Sequence, residues 1–233
     1  MKVITSFLIA MFFMGTMYSQ VADTLKTKVF SFTPVSKYTG KVNGLTFGVG
    51  HELNRGSQSV TVNGLNLEVN PLTPFIVLMV EPRKSMIKYS VPTTVNGVHI
   101  AVGGFLGGGI INGLNLSVFN AGRITNGLSI TAFYNYTYEM NGLHIAGISN
   151  TTDKASGVLL SFGNSADDFK GLQVGAINMA RNSMVGLQLG GYNEAGNMTG
   201  IQIGIFNKAK KVKGFQLGLW NVNEKRSLPI INF

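Results

Sequence analysis

A period of 14 or 15 residues runs from Gly97 to the C-terminus, and no other feature constrains the fold of this chain as tightly. The register glycines are Gly97, Gly113, Gly127, Gly142, Gly157, Gly171, Gly186, Gly200 and Gly214, with spacings of 16, 14, 15, 15, 14, 15, 14 and 14. A second column follows seven or eight residues on: Asn120, Asn135, Asn150, Asn164, Asn178, Asn193, Asn207 and Asn221. The last copies read KGLQVGAIN, VGLQLGGYN, TGIQIGIFN and KGFQLGLWN. A unit this short buries no face by itself, so the copies must stack side by side.

The class of secondary structure follows from the residues between the glycines. Leu, Ile, Val, Phe and Tyr alternate with polar or small residues, the period of a strand, and no helical stripe persists after the first twenty residues. Only 12% of the 233 residues are charged, well below the usual quarter or so of a soluble domain. An all-β chain of stacked repeats is the expectation.

The N-terminus reads differently. Met1 and Lys2 precede the apolar run Val3–Met14, and polar or small residues follow to Gln20. This is the pattern of a secretory signal peptide over residues 1–20, with cleavage between Ser19 and Ala22; a retained N-terminal membrane anchor is the alternative. The chain has no cysteine, which excludes a disulfide framework and a lipid-modified N-terminal cysteine. Both features point to an exported bacterial protein of the outer membrane, cell surface or periplasm. The expected organisation is a signal peptide (1–20), an irregular N-terminal β region or cap (21–96) and a repeat domain (97–233).

Strand parity assigns faces to each copy. After Gly200, Ile201, Ile203 and Ile205 alternate with Gln202, Gly204 and Phe206. One face is aliphatic in every copy: Leu172, Val174, Ala176; Leu187, Leu189, Gly191; Phe215, Leu217, Leu219. The other carries Gln173, Gln188, Gln202 and Gln216, then Gly, then Ile177, Tyr192, Phe206 and Trp220. Two folds can use this pattern. In a β-solenoid (β-roll), each copy is one turn with a perimeter of about 46 Å. The aliphatic triplets are then expected to line one inner wall, with Ala180, Ala195, Ala209 and Met184, Met198, Val212 on the other. The Asn column would chain its amides from coil to coil. In an antiparallel outer-membrane barrel, each copy is one strand plus a turn, and the aliphatic face meets lipid. The terminal Phe233, with Ile231 two before it, suits the barrel. The connectors NSADDFKG, NEAGNMTG and NKAKKVKG suit the coil, because they keep one length and one pattern with no odd–even alternation.

The order Ile201-Gln202-Ile203-Gly204-Ile205-Phe206-Asn207-Lys208-Ala209 resembles the 14-residue head repeat of trimeric autotransporter adhesins, which implies a parallel β-roll. The G-φ-Q-φ-G-φ-φ-N copies, with the ending Trp220-Asn221…Lys225-Arg226-Ser227-Leu228-Pro229, are similar to a largely uncharacterised family of bacterial surface-repeat proteins. That resemblance implies an envelope location and no activity.

The N-terminal third is less regular. Asn43-Gly44-Leu45, Asn63-Gly64-Leu65 and Asn96-Gly97-Val98 are recognisable starts, and Pro74–Val80 is an apolar run framed as a strand that covers an open end or meets a membrane. Gly103–Gly109 lacks the Lys-Ser/Thr of a phosphate loop. His51, His99 and His144 are dispersed, and the last two occupy the Gln position, which reads as a surface column rather than a metal site. Asp167-Asp168 falls in a connector, the place of solvated acids. No catalytic, metal or cofactor site is expected; with an outer-membrane β-barrel pore as the alternative, the functional expectation is a non-enzymatic structural or adhesive module. Its candidate surface is the stripe Ile177, Tyr192, Phe206 and Trp220, flanked by Gln173, Gln188, Gln202 and Gln216. The net charge is +9, concentrated in Lys208, Lys210, Lys211, Lys213, Lys225 and Arg226. Such a cluster either caps the stack or meets lipopolysaccharide or another envelope polysaccharide; self-association is the other partner expected, and nucleic acid is disfavoured because no aromatics interleave with the lysines.

Overall fold

The computed structural model describes residues 25–50, 59–70, 75, 93–103 and 109–233. The expected signal peptide, His51, Gly104–Gly108 and all but Phe75 of the expected Pro74–Val80 strand lie outside the described residues. The strands are β1 (Lys26–Thr33), β2 (Thr39–Gly48), β3 (Val60–Glu68), β4 (Thr93–Ala101), β5 (Ile110–Ser117) and β6 (Asn120–Thr131). They continue as β7 (Tyr134–Ala146), β8 (Ser149–Thr151), β9 (Lys154–Leu160), β10 (Gly163–Val222) and β11 (Ser227–Asn232). From β1 to the start of β10 each element pairs in parallel with the next coil. The 60-residue β10 then winds through the last four register glycines without a break. The architecture is a β-solenoid, not a barrel.

The glycine column is the spine. Gly44 pairs with Gly64, Gly64 with Gly97, and the series runs in register to Gly171. The described parts of 21–96 therefore share the spine of the repeat domain. At Gly200 φ is +128°, and a Cβ there would collide with the carbonyl oxygen of Gly186 directly beneath it. Both the backbone conformation and the close approach demand glycine.

Alternation holds, but the faces are inverted relative to the sequence expectation. Gln173, Gln188, Gln202 and Gln216 are fully buried, while Ile203 is 41% and Leu219 72% exposed. The triplets expected to line the core point outward instead, and the Gln–Gly face lines the interior. The reason lies in the asparagines. Asn178 Nδ2 donates to the Leu189 carbonyl at 2.9 Å and Asn193 Nδ2 to the Ile203 carbonyl at 2.9 Å. Each such Asn lies against the glycine after that carbonyl: a Cβ on Gly190 would sit 2.6 Å from Asn178 Nδ2, and one on Gly204 2.5 Å from Asn193 Nδ2. The inward Asn of the coil below, with the Asn three residues further along its own coil at 3.2 Å, thus fixes each of these glycines, and with it the Gln two residues earlier, on the inner face. The opposite inner wall follows the expectation: Ala180, Ala195, Ala209, Met184 and Met198 are buried in one apolar cluster, with Val212 packed against it. Towards the N-terminus, Val62, Val95 and Ile111 continue that wall.

The last strand is the exception to parallel pairing. β11 turns back antiparallel on the end of β10, with Leu217 opposite Ile231 and Gln216 opposite Asn232. Asn232 Nδ2 donates to Gln216 Oε1 at 3.0 Å, so an asparagine ends the glutamine column. Arg226 stacks on the Phe233 ring at 3.9 Å and donates to the Phe233 carbonyl. The Ile231–Phe233 ending that suited a barrel forms this terminal hairpin.

Candidate functional site: an aliphatic outer wall

Three amide ladders hold the coils in step. In the core, Asn120 donates to Asn135, and the chain of amides continues through Asn150, Asn164, Asn178, Asn193 and Asn207 to Asn221, at 2.7–3.1 Å. The Gln ladder runs beside it: Gln216 to Gln202, Gln202 to Gln188 and Gln188 to Gln173, at 2.7–2.8 Å. Each Gln also donates across the coil to a backbone carbonyl, as Gln202 does to Lys208 at 3.3 Å. With both amide protons engaged, a buried glutamine carries no desolvation penalty for an unmade bond. A third ladder lies nearer the surface at the residue before each glycine, from Asn63 to Asn43 and on through Asn96, Asn112, Asn126 and Asn141 to Ser156. The Asn-Gly starts at 43, 63 and 96 were its visible sign in the sequence.

With amides and small residues inside, the aliphatic residues form the outside of one wall. The residue after each spine glycine is Leu45, Leu65, Val98, Leu114, Leu128, Leu143, Val158, Leu172, Leu187, Ile201 or Phe215. Two residues further on stand Phe47, Leu67, Ile100, Leu116, Ile130, Ile145, Leu160, Val174, Leu189, Ile203 and Leu217. Neither column contains a single polar residue. Phe30 and Phe32 of β1, paired with Leu45 and Phe47, begin the wall, and Ile231 ends it. Two shallow depressions lie beside the second column, one lined by Leu67, Ile100 and Leu116 with Val69, Val102 and Val118, the other by Leu189, Ile203 and Leu217 with Gly191, Ile205 and Leu219.

The expected stripe sits at one long edge of this wall. Ile177, Phe206 and Trp220 are exposed, Phe206 by 52%. Tyr192 is held: its hydroxyl donates to Glu194 Oε2 at 2.8 Å. Separated from it by Ser149 and Gly163 in the same column, a second aromatic group stands nearer the N-terminus, where Phe119 stacks on Phe133 and Tyr134, and Tyr134 on Tyr136, with centroids 5.3–6.2 Å apart. The four glutamines expected to flank it belong to the core and leave the candidate surface. His99 and His144, expected on the surface in the same column, are buried with them.

The opposite wall is polar. Arg181 pairs with Asp167 at 2.9 Å and Lys208 with Glu194 at 3.0 Å. Desolvation acts to raise the Glu194 carboxyl, but the hydrogen bonds from Tyr192 and Lys208 outweigh it, and its pKa is lowered. The basic cluster is therefore less than one free patch: Lys208 is partnered, and Arg226 is engaged by the terminal hairpin. Among the described residues no group of His, Asp or Glu side chains is placed to hold a metal, and no helix is long and apolar enough to cross a membrane. No protein-family model, curated protein or solved structure matches this chain.

Proposed function

We propose that this chain is a non-enzymatic module of the bacterial cell envelope, a rigid rod that works by docking its aliphatic wall against an apolar partner surface. One observation carries the reading. The wall is an uninterrupted apolar strip along the whole rod, where soluble monomers rarely expose more than a few hundred Å² of contiguous apolar surface. The polar wall, with its paired charges, remains in water. An exported chain of G-φ-Q-φ-G-φ-φ-N repeats, similar to bacterial surface-repeat proteins, fits an envelope setting, where such a module serves a structural or adhesive role. The free lysines at the C-terminal end offer a secondary contact for lipopolysaccharide or another anionic polysaccharide.

The test is a comparison of walls in cells. A tagged chain is expected in the envelope fraction. Replacing Ile203 and Leu217 together with Lys should release it, with its far-UV β spectrum unchanged, because both side chains stand outside the core. Replacing Lys208 and Lys210 with Glu should leave it in place. Retention of the wall variant in the envelope would sink the reading.

A further inference from the structure

We infer that the aliphatic wall is covered by a second copy of the same chain, packed wall to wall about a two-fold axis. The inference rests on the docking-wall reading above and names its occupant.

Area is the first argument. The wall spans ten inter-coil steps between Gly44 and Gly214, and at ~4.8 Å per step it is about 48 Å long. Five strand residues give a width of about 16 Å. Two such walls in contact bury about 1,500 Å² in total, the size of a standard stable interface.

Periodicity is the second. Side chains of one column repeat at the strand spacing, so the ridges of one copy match the spacing of the grooves in another at every coil. Sheets stack face to face at about 10 Å when their side chains interdigitate in this way. The two depressions beside the second column have the same construction, around Ile100 and around Ile203. A regular relief of this kind rewards a solid, equally periodic partner, whereas fluid acyl chains gain nothing from its regularity.

Charge is the third. An isologous contact sets a surface against itself, so any charge on it would meet its like. The two central columns contain none, while the charges of the polar wall stay hydrated on the outside of the pair.

The purified protein should sediment in detergent-free buffer at twice the mass of one chain. I203K/L217K should weaken the pair by roughly 100-fold or more, since it buries uncompensated charge, and K208E/K210E should leave it unchanged. Because the chain has no cysteine, I130C on the middle of the wall provides a second readout that leaves the wall apolar. A short bis-maleimide should cross-link it to its partner in the wild-type background and fail to do so with I203K/L217K present. A protein that sediments as a monomer and floats with phospholipid vesicles through this wall would overturn the second copy and leave the docking wall standing. A monomer that binds neither, or a multimer indifferent to I203K/L217K, would overturn both.

Discussion

The coils before and after Ser165 share one glycine spine and one aliphatic wall, yet they fill their interiors differently. In the later coils a single residue type repeats, and the amides of Gln188 and Gln202 each donate once along the stack and once across it. In the earlier coils the same column reads Thr46, Asn66, His99, Asn115, Ser129, His144 and Leu159. Unlike neighbours chain only in pieces: Thr46 donates to Asn66, Asn66 meets His99 Nδ1 at 2.8 Å and Asn115 donates to Ser129 at 2.8 Å, while neither ring nitrogen of His144 has a side-chain partner. Within this column, buried polar atoms of Asn115 and His144 lack hydrogen-bond partners. The earlier coils carry in addition the outer Asn ladder, which ends at Ser156. A periodic core can therefore be polar and still be fully satisfied, provided that the period is kept; where the column is mixed, the polar interior becomes a liability.

The largest effect should be blind to this division. Gly113→Ala in the earlier coils and Gly200→Ala in the later ones each force a side chain at positive φ into a carbonyl oxygen of the coil below. Each should cost more than about 3 kcal/mol, read as loss of the cooperative thermal transition. A mild effect at either site would break the shared spine.

The ladders should separate the halves. Gln202→Ala orphans the Gln216 Nε2 donor and the Gln188 Oε1 acceptor in a dry core, costing about 2–4 kcal/mol. Asn126→Ala cuts the partly exposed outer ladder, where water replaces the lost bonds, and should cost under about 1 kcal/mol. Urea denaturation of the two variants would reverse the comparison if Asn126 proved the more costly.

Acid should act on the earlier half through His144. Burial lowers its pKa from 6.5 to about 4, with the Asn141 backbone opposing the shift. The native ring stays neutral while the unfolded ring protonates, so stability falls as pH drops from 6.5 towards 4 and is unaffected above that window. The full loss is about 3 kcal/mol. Substituting His144→Gln, the residue of the later coils, should abolish this pH dependence. An unchanged slope between pH 7 and pH 4.5 would place the titrating group elsewhere.

The smallest expected change is a gain. Thr125 is buried between Ile111 and Met140 in its column, with its hydroxyl unpartnered. Thr125→Val should raise stability by about 1 kcal/mol, seen as a small rise in Tm.

Much of this was legible in the residues. The equal connectors indicated a coil, the Asn column indicated an internal ladder, and the small Ala and Met positions identified one inner wall. The error concerned a single choice of parity. Hydrophobicity alone assigns Leu187, Leu189 and Ile201 to the core, because an aliphatic face ordinarily seeks burial. The contrary signal lay in the spacing Gly190-x-x-Asn193 and Gly204-x-x-Asn207: an inward Asn needs a neighbour without a Cβ. Placing Asn inside and that glycine outside was inconsistent, and resolving it would have turned the Gln column inward. The Arg226–Phe233 stacking and the antiparallel hairpin are set by contacts outside the repeat, so no period announced them.

The central claim is that the glutamine amides are inside and the leucines outside, and hydrogen exchange at the side-chain amides tests it without perturbing the molecule. With 15N-labelled protein, the Nε2 protons of Gln188 and Gln202 should exchange at least about 100-fold more slowly than a free glutamine amide, because both are bonded and dry. Exchange at the free rate, in a folded β-rich protein, would return the glutamines to the surface and the aliphatic wall to the core.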